Sequence, residues 1–326
     1  MIQQQRKKTR GFSLVEIAIV LLIIGLAFGM IVGVTGSLRE GQQRSTVRTQ
    51  LETIDTALAN FVALYKRLPC PADGTIDSGT AGVGLETLWL GPTVPSSIGN
   101  CNPNNQANGV VPWVTLGLSE ADATDPWGGR ISYRVDPALA TGSTFPRLMD
   151  MSNCDPASIG LASAIGECKI PAAPCTSSPN CTSPAEFLKN KGLDVWDGVN
   201  GAVGWALRQN NRSAGTGAAY VLISHGPSGG GAYNKSGVSP QPGNIASGTA
   251  DETFNLNGGA LLPPPPASVA APGPLLSLPP PSIPYTYRDA PMNDRATTAH
   301  FDDYLSHPTI MTVLMKANLG PRAHTN

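Results

Sequence analysis

The sequence predicts an α+β protein: one long N-terminal helix packed on a small antiparallel sheet in a head with long loops. Three observations carry that expectation. Residues 12–34 are apolar almost without interruption. Val47, Leu51, Ile54, Leu58, Phe61 and Tyr65 then recur three and four apart, with Val62 on the same face, the period of an amphipathic helix. Beyond Pro69 the chain is rich in Gly and Pro, and short β-branched segments at 131–135 and 218–224 read as strands. Such spacing does not suit a compact enzyme of repeated βαβ units.

The first element begins with a basic leader. Residues 1–11 hold Arg6, Lys7, Lys8 and Arg10 and no acid, and the apolar run starts at Phe12. As a helix, 12–34 spans roughly 35 Å, enough for a bilayer core of about 30 Å. The cations ahead of it predict a cytoplasmic start and a head on the outer side. A cleaved secretory signal has a shorter apolar region with a small-residue site after it, and neither is present here. Glu16 breaks the run. A carboxylate in hydrocarbon costs about 2.5–3.5 kcal/mol even on the lenient insertion scale. It either snorkels to the interface or meets a cation on another chain. A cut after Gly11 creates such a cation, the α-amino group of Phe12. Gly25, Gly29 and Gly33 repeat every four residues on one face, which permits close helix approach. Glycine is also common in membrane helices generally, and each one weakens the helix by roughly 1 kcal/mol.

The amphipathic continuation covers 35–68, with Arg48, Glu52, Asp55 and Lys66 between the apolar positions. Pro69 ends it, since proline disfavours helix at the residue before it. The expected helix therefore runs from 12 to 67. The head, 69–326, holds a short helix at 183–191, where Ser183 and Glu186 have capping-box spacing. Residues 262–284 contain runs of three and four prolines and read as an extended, polyproline-like excursion.

Charge and cysteines bound the function. Net charge is −1 with 14% charged residues, which argues against a nucleic-acid partner. Cys70, Cys101, Cys154, Cys168, Cys175 and Cys181 all follow the apolar run. An even count on the outer side suits disulfides. Proximity favours Cys70 with Cys101 and pairing within 154–181, among 15 arithmetical possibilities. Spacings of 14, 7 and 6 offer no C-x-x-C pair for zinc. No catalytic constellation emerges. Ser224-His225-Gly226 lacks the glycines of a nucleophile elbow. In the loop 226–236, Asn234 stands where a phosphate loop needs Gly before Lys235. His300, Asp302, Asp303 and His307 read either as a metal cluster or as a polar turn before the apolar segment 310–315. The chain is expected to be non-enzymatic.

Residues 7–16, Lys-Lys-Thr-Arg-Gly-Phe-Ser-Leu-Val-Glu, resemble the processing signal of type IV prepilins and type II secretion pseudopilins. The resemblance implies that a prepilin peptidase cuts between Gly11 and Phe12 and N-methylates Phe12. It also implies that Glu16 pairs with a neighbour's terminal amine during fibre assembly. The cut removes four of the 22 basic residues, so 18 face the 23 acids and the net charge falls to −5. Implied partners are the peptidase/methyltransferase, other pilins or pseudopilins and an inner-membrane assembly platform. The fold implied is pilin-like.

Asp125-Pro126-Trp127-Gly128 and the segment 219–231 are similar to parts of major pseudopilins, whose following loop often binds calcium. Here Ser, His, Gly and Pro stand where carboxylates are needed, leaving Asp302 and Asp303 as weak calcium candidates. No other cofactor is implied. The turn leans towards the secretion machine, and the large head towards a pilus or a fibre tip. A membrane-anchored periplasmic binding protein or enzyme that never assembles is the alternative.

Overall fold

The computed structural model describes residues 13–89, 100–101, 109–140, 149–152, 154, 184–197, 199–200, 204–205, 208–238, 252, 255, 286–293 and 300–321. The chain divides into two compact units, Met1–Thr46 and Val47–Asn326.

Helix α1 (Leu14–Tyr65) has 52 residues. Its first part is apolar on every side and open to the surroundings, from Leu14 at 86% exposed to Leu26 at 59%. Among the described residues no helix is long and apolar enough to cross a membrane. Within the expected span of 12–34, described side chains cover 13–26 and Gly29, short of the roughly 20 apolar residues a span needs. The helix also stops earlier than the expected residue 67. Lys66 turns into the left-handed region at φ 58°, and its N–H donates to Val62 O at 2.8 Å. Its Nζ caps Ala63 O at 2.8 Å, which offsets some of the cost of that conformation for a residue with a Cβ.

In the second unit the expected apolar stripe is buried. Val47, Leu51, Ile54, Leu58 and Val62 join one core cluster with Tyr133, Val135, Tyr220 and Leu222. Phe61 is buried too, whereas Tyr65 is half exposed and lies against the Phe61 ring at 4.4 Å.

The sheet beneath the helix contains β3 (Ser132–Val135), β8 (Tyr220–Ser224) and β10 (Tyr304–Ser306) in the order β10-β8-β3, all antiparallel. Pairing of Tyr133 with Leu222 and Val135 with Tyr220 puts these four side chains on the helix face. The alternate residues, Val221 and Ile223, face the other way and join Leu193, Val195, Ala218 and Tyr287 in a second core. That core belongs to a mixed sheet of β7 (Arg208–Asn210), β4 (Asp194–Trp196) and β9 (Thr286–Arg288), in which β4 pairs antiparallel with β7 and parallel with β9. The head is therefore layered helix, sheet, sheet.

Smaller pieces complete the chain. They are the pairs β1 (Leu88–Trp89) with β2 (Asn100–Cys101) and β5 (Val199–Asn200) with β6 (Gly204–Trp205), and the short helices α2 (Pro137–Ala140), α3 (Pro184–Leu188) and α4 (Ile310–Lys316). Thr309 caps α4, its side chain accepting from Thr312 N. The proline excursion 262–284 lies outside the described residues.

One helix residue departs from the expected polar side. Asp55 is buried; its Oδ1 accepts from the Tyr220 hydroxyl at 2.9 Å and its Oδ2 from the Ser306 hydroxyl at 2.7 Å. Burial pushes the Asp55 carboxyl above its ordinary value, against the pull of those two bonds. For an acid with a raised folded value, the stabilising contribution is complete below the unfolded value near 3.8 and is lost as pH rises through the folded value. Asp55→Asn keeps polar groups at both bonds and removes the charge. The variant's stability relative to the parent should therefore rise from pH 4 to pH 7, measured as the difference between the two melting curves. Asp55→Ala, which leaves two hydroxyls unpaired, should cost about 1–3 kcal/mol at pH 4 and less as the pH rises.

The loops are tied by specific bonds. Arg130 is fully buried; it pairs with Glu120 at 2.9 Å and donates to Gly74 O and Ile76 O at 3.0 and 2.7 Å. In the Asp125-Pro126-Trp127-Gly128 turn, Asp125 Oδ1 accepts from Trp127 N and Gly129 N, while Oδ2 accepts from the Ser224 hydroxyl at 2.8 Å. Gly128 supplies the positive φ of 91° that the turn needs. A disulfide joins Cys70 and Cys101, pinning β2 to the segment that follows α1. Cys154 is also disulfide-bonded, with its partner outside the described residues, as are Cys168, Cys175 and Cys181.

Candidate functional site

The N-terminal site is built on the first turn of α1. Ser13 precedes the helix, and its hydroxyl accepts from Glu16 N at 3.2 Å. The Glu16 carboxylate reaches back and accepts from Ser13 N at 3.0 Å. This reciprocal pair is a capping box and satisfies two backbone donors that the helix start leaves open. The pattern Ser13-x-x-Glu16 is its sequence signature, yet the reading of Glu16 as an inter-chain residue passed over it. Both side chains are exposed. The carboxylate can therefore hold the helix start and still face a cation outside its own chain.

The donor from Ser13 is the amide of the Phe12–Ser13 bond, so a cut at Gly11 leaves the box intact. Gly11 and Phe12 themselves lie outside the described residues. Gly25 and Gly29 have no atom within 4 Å of where a Cβ would stand, so their faces are open to a neighbouring helix. Gly33 belongs to α1, and its surroundings lie outside the described residues.

In the head, the residues read either as a metal cluster or as a polar turn divide, His300 staying with Asp302 while Asp303 and His307 turn to other partners. Asp302 and Asp303 are adjacent in extended chain and point to opposite sides. Asp302 accepts from Ser228 N at 2.8 Å and from the Ser228 hydroxyl at 2.9 Å. Asp303 accepts from Asn255 Nδ2 at 2.8 Å and faces His225 Nδ1 at 3.3 Å. The two calcium candidates are thus held by different partners. His307 turns elsewhere again, to Asn210 Oδ1 at 2.7 Å and Asp289 Oδ2 at 3.1 Å. Glu252 joins His300 and Asp302, and the three bring one ligand atom each to within 4.8 Å of one another. Glu252 lies 50 residues upstream of Asp302, and no local pattern announced it.

Ser132, His225 and Asp303 line up as an acyl-transfer triad does, with Ser132 Oγ 3.0 Å from His225 Nε2 and Asp303 behind Nδ1. Ser132 sits inside strand β3, and the three residues are 1%, 1% and 4% exposed. The Ser132 hydroxyl is thus buried in the sheet, and its bond to His225 ties β3 to the end of β8.

Residues 6–32 match the prokaryotic N-terminal methylation motif, so the chain carries a signal of the type IV prepilin and pseudopilin kind. The match covers under a tenth of the chain. No curated protein and no solved structure matches the chain.

Proposed function

We propose that this chain is a structural subunit, a minor pilin or pseudopilin, of a type IV pilus or type II secretion pseudopilus. In this reading prepilin peptidase cuts after Gly11 and methylates Phe12, and α1 carries the mature subunit from the inner membrane into a helical fibre. The carrying observation is the methylation motif at 6–32, the stretch that contains Gly11, Phe12 and Glu16. The structure supports the reading through the contrast within α1. The helix buries Val47–Val62 positions in the head core but leaves Leu14, Val15, Ile17 and Leu21 more than half exposed. A helix that is apolar all round requires an apolar environment, lipid before assembly and neighbouring helices after it.

Glu16 has two tasks in this mechanism. Its bond to Ser13 N starts the helix, and its charge selects the methylated amine of a neighbour's Phe12. In a fibre core of low dielectric such a pair rejects any register that leaves the carboxylate unpaired. The head stays on the periplasmic side, where the Cys70–Cys101 disulfide suits the redox compartment.

Fractionation of cells tests assembly. Sheared fibres, or a high-mass complex cross-linked in the membrane, should contain the chain only when the peptidase is active. A chain that stays monomeric in the membrane with active peptidase would favour the anchored, non-assembling alternative.

A further inference from the structure

Glu252 and Asp302 both stand within ion-pairing distance of the His300 ring without a hydrogen bond to it. Glu252 Oε1 lies 3.4 Å from His300 Nε2, and Asp302 Oδ2 lies 3.5 Å from the same nitrogen. Charge-assisted N–H···O bonds close to about 2.7–2.9 Å, and among the described residues the His300 ring makes no hydrogen bond. Donor atoms about 3.4 Å apart form an edge of a tetrahedron whose centre is about 2.1 Å from each corner, the bond length of Zn²⁺ to nitrogen and oxygen ligands.

We propose that Glu252, His300 and Asp302 form a three-ligand site for a divalent transition-metal cation of the Zn²⁺ class, with the fourth position open to water. The donor set sets the preference. An imidazole nitrogen suits zinc, cobalt or nickel, whereas calcium takes six to eight oxygens. Glu252 and Asp302 are buried, while His300 is partly open and offers an entry path.

The neighbours hold the ligands as a metal site needs. Ser228 grips both oxygens of Asp302, and Asp302 N donates to Glu252 Oε1 at 3.3 Å. Gly226, at φ 55°, lets the 225–231 loop lie against the Asp302 backbone where a Cβ would collide. A bound cation would thus clamp Glu252 to the approach to β10, which Ser228 ties in turn to the 225–231 loop.

The full-length chain, purified in detergent and stripped with chelator, is the material for the test. Calorimetric titration with Zn²⁺ should show one equivalent bound, and Co²⁺ should give the intense visible absorption of a tetrahedral centre. His300→Gln should weaken Zn²⁺ binding by about 100-fold or more and abolish that absorption. Its melting temperature in chelator should stay within a few degrees of the parent's, since among the described residues the ring makes no hydrogen bond and holds only the two longer ion-pair contacts. Glu252→Gln should weaken binding similarly, whereas His307→Gln should leave it unchanged. No stoichiometric Zn²⁺ or Co²⁺ binding, binding indifferent to His300→Gln, or tighter binding of Ca²⁺ than of Zn²⁺ would each overturn the proposal. None of these results bears on cleavage at Gly11, so the site and the fibre reading stand or fall separately.

Discussion

Glu16→Gln should leave the cut after Gly11 intact and exclude the subunit from the fibre. Glutamine at this position still accepts from Ser13 N, so the capping box survives. The substitution removes only the charge that the proposed assembly pairs with a neighbour's Phe12 amine. Breaking one partner of a buried ion pair costs about 3–5 kcal/mol, so incorporation should drop by at least about 100-fold. Glu16→Ala removes both the charge and the cap. It should fail as completely, with fraying of the first turn worth about 1 kcal/mol in addition. The two variants separate two explanations of one residue. If the carboxylate served only the helix start, Glu16→Gln would assemble like the parent and Glu16→Ala alone would be impaired. Quantifying the chain in sheared fibres against its level in the membrane decides between them.

Gly11→Leu should block maturation. A peptidase must draw the backbone at the scissile bond into its active site, and glycine is the residue that adds no Cβ at that approach. Misplacement of the reacting bond by about 1 Å already costs around 100-fold in rate. The variant should accumulate with its leader attached and with the formal charge of −1 it has before processing. Retaining four cations ahead of the apolar run, it should remain in the membrane and stay out of the fibre. Recovery of a shortened chain at normal yield would remove Gly11 from the cleavage site.

The N-terminal methylation signal was legible because its information is local. A basic leader, a glycine, an apolar run and one acid at a fixed offset all lie within one stretch of chain, and so does the Ser13–Glu16 capping box. The stripe of the second half of α1 was readable for the same reason, since helical period places Val47, Leu51, Ile54 and Leu58 on one face. Asp55 was not, because nothing local distinguishes it from Glu52. What buries it are Tyr220 and Ser306, 165 and 251 residues away in sequence.

The head's polar clusters failed to show for the same physical reason. Asp302 and Asp303 look like a pair in sequence, but extended chain sends neighbours to opposite sides. Each then finds partners from distant loops, Ser228 for one and Asn255 for the other. The helix terminus shifted on a conformational detail, Lys66 adopting a left-handed turn before Pro69 is reached.

The most direct test of the account is the intact mass and N-terminal sequence of the chain extracted from its native membrane. A mature chain that begins at Phe12, one methyl group heavier than the unmodified peptide, is the result the account predicts. A chain that still begins at Met1, in cells whose prepilin peptidase is active on other substrates, would contradict it.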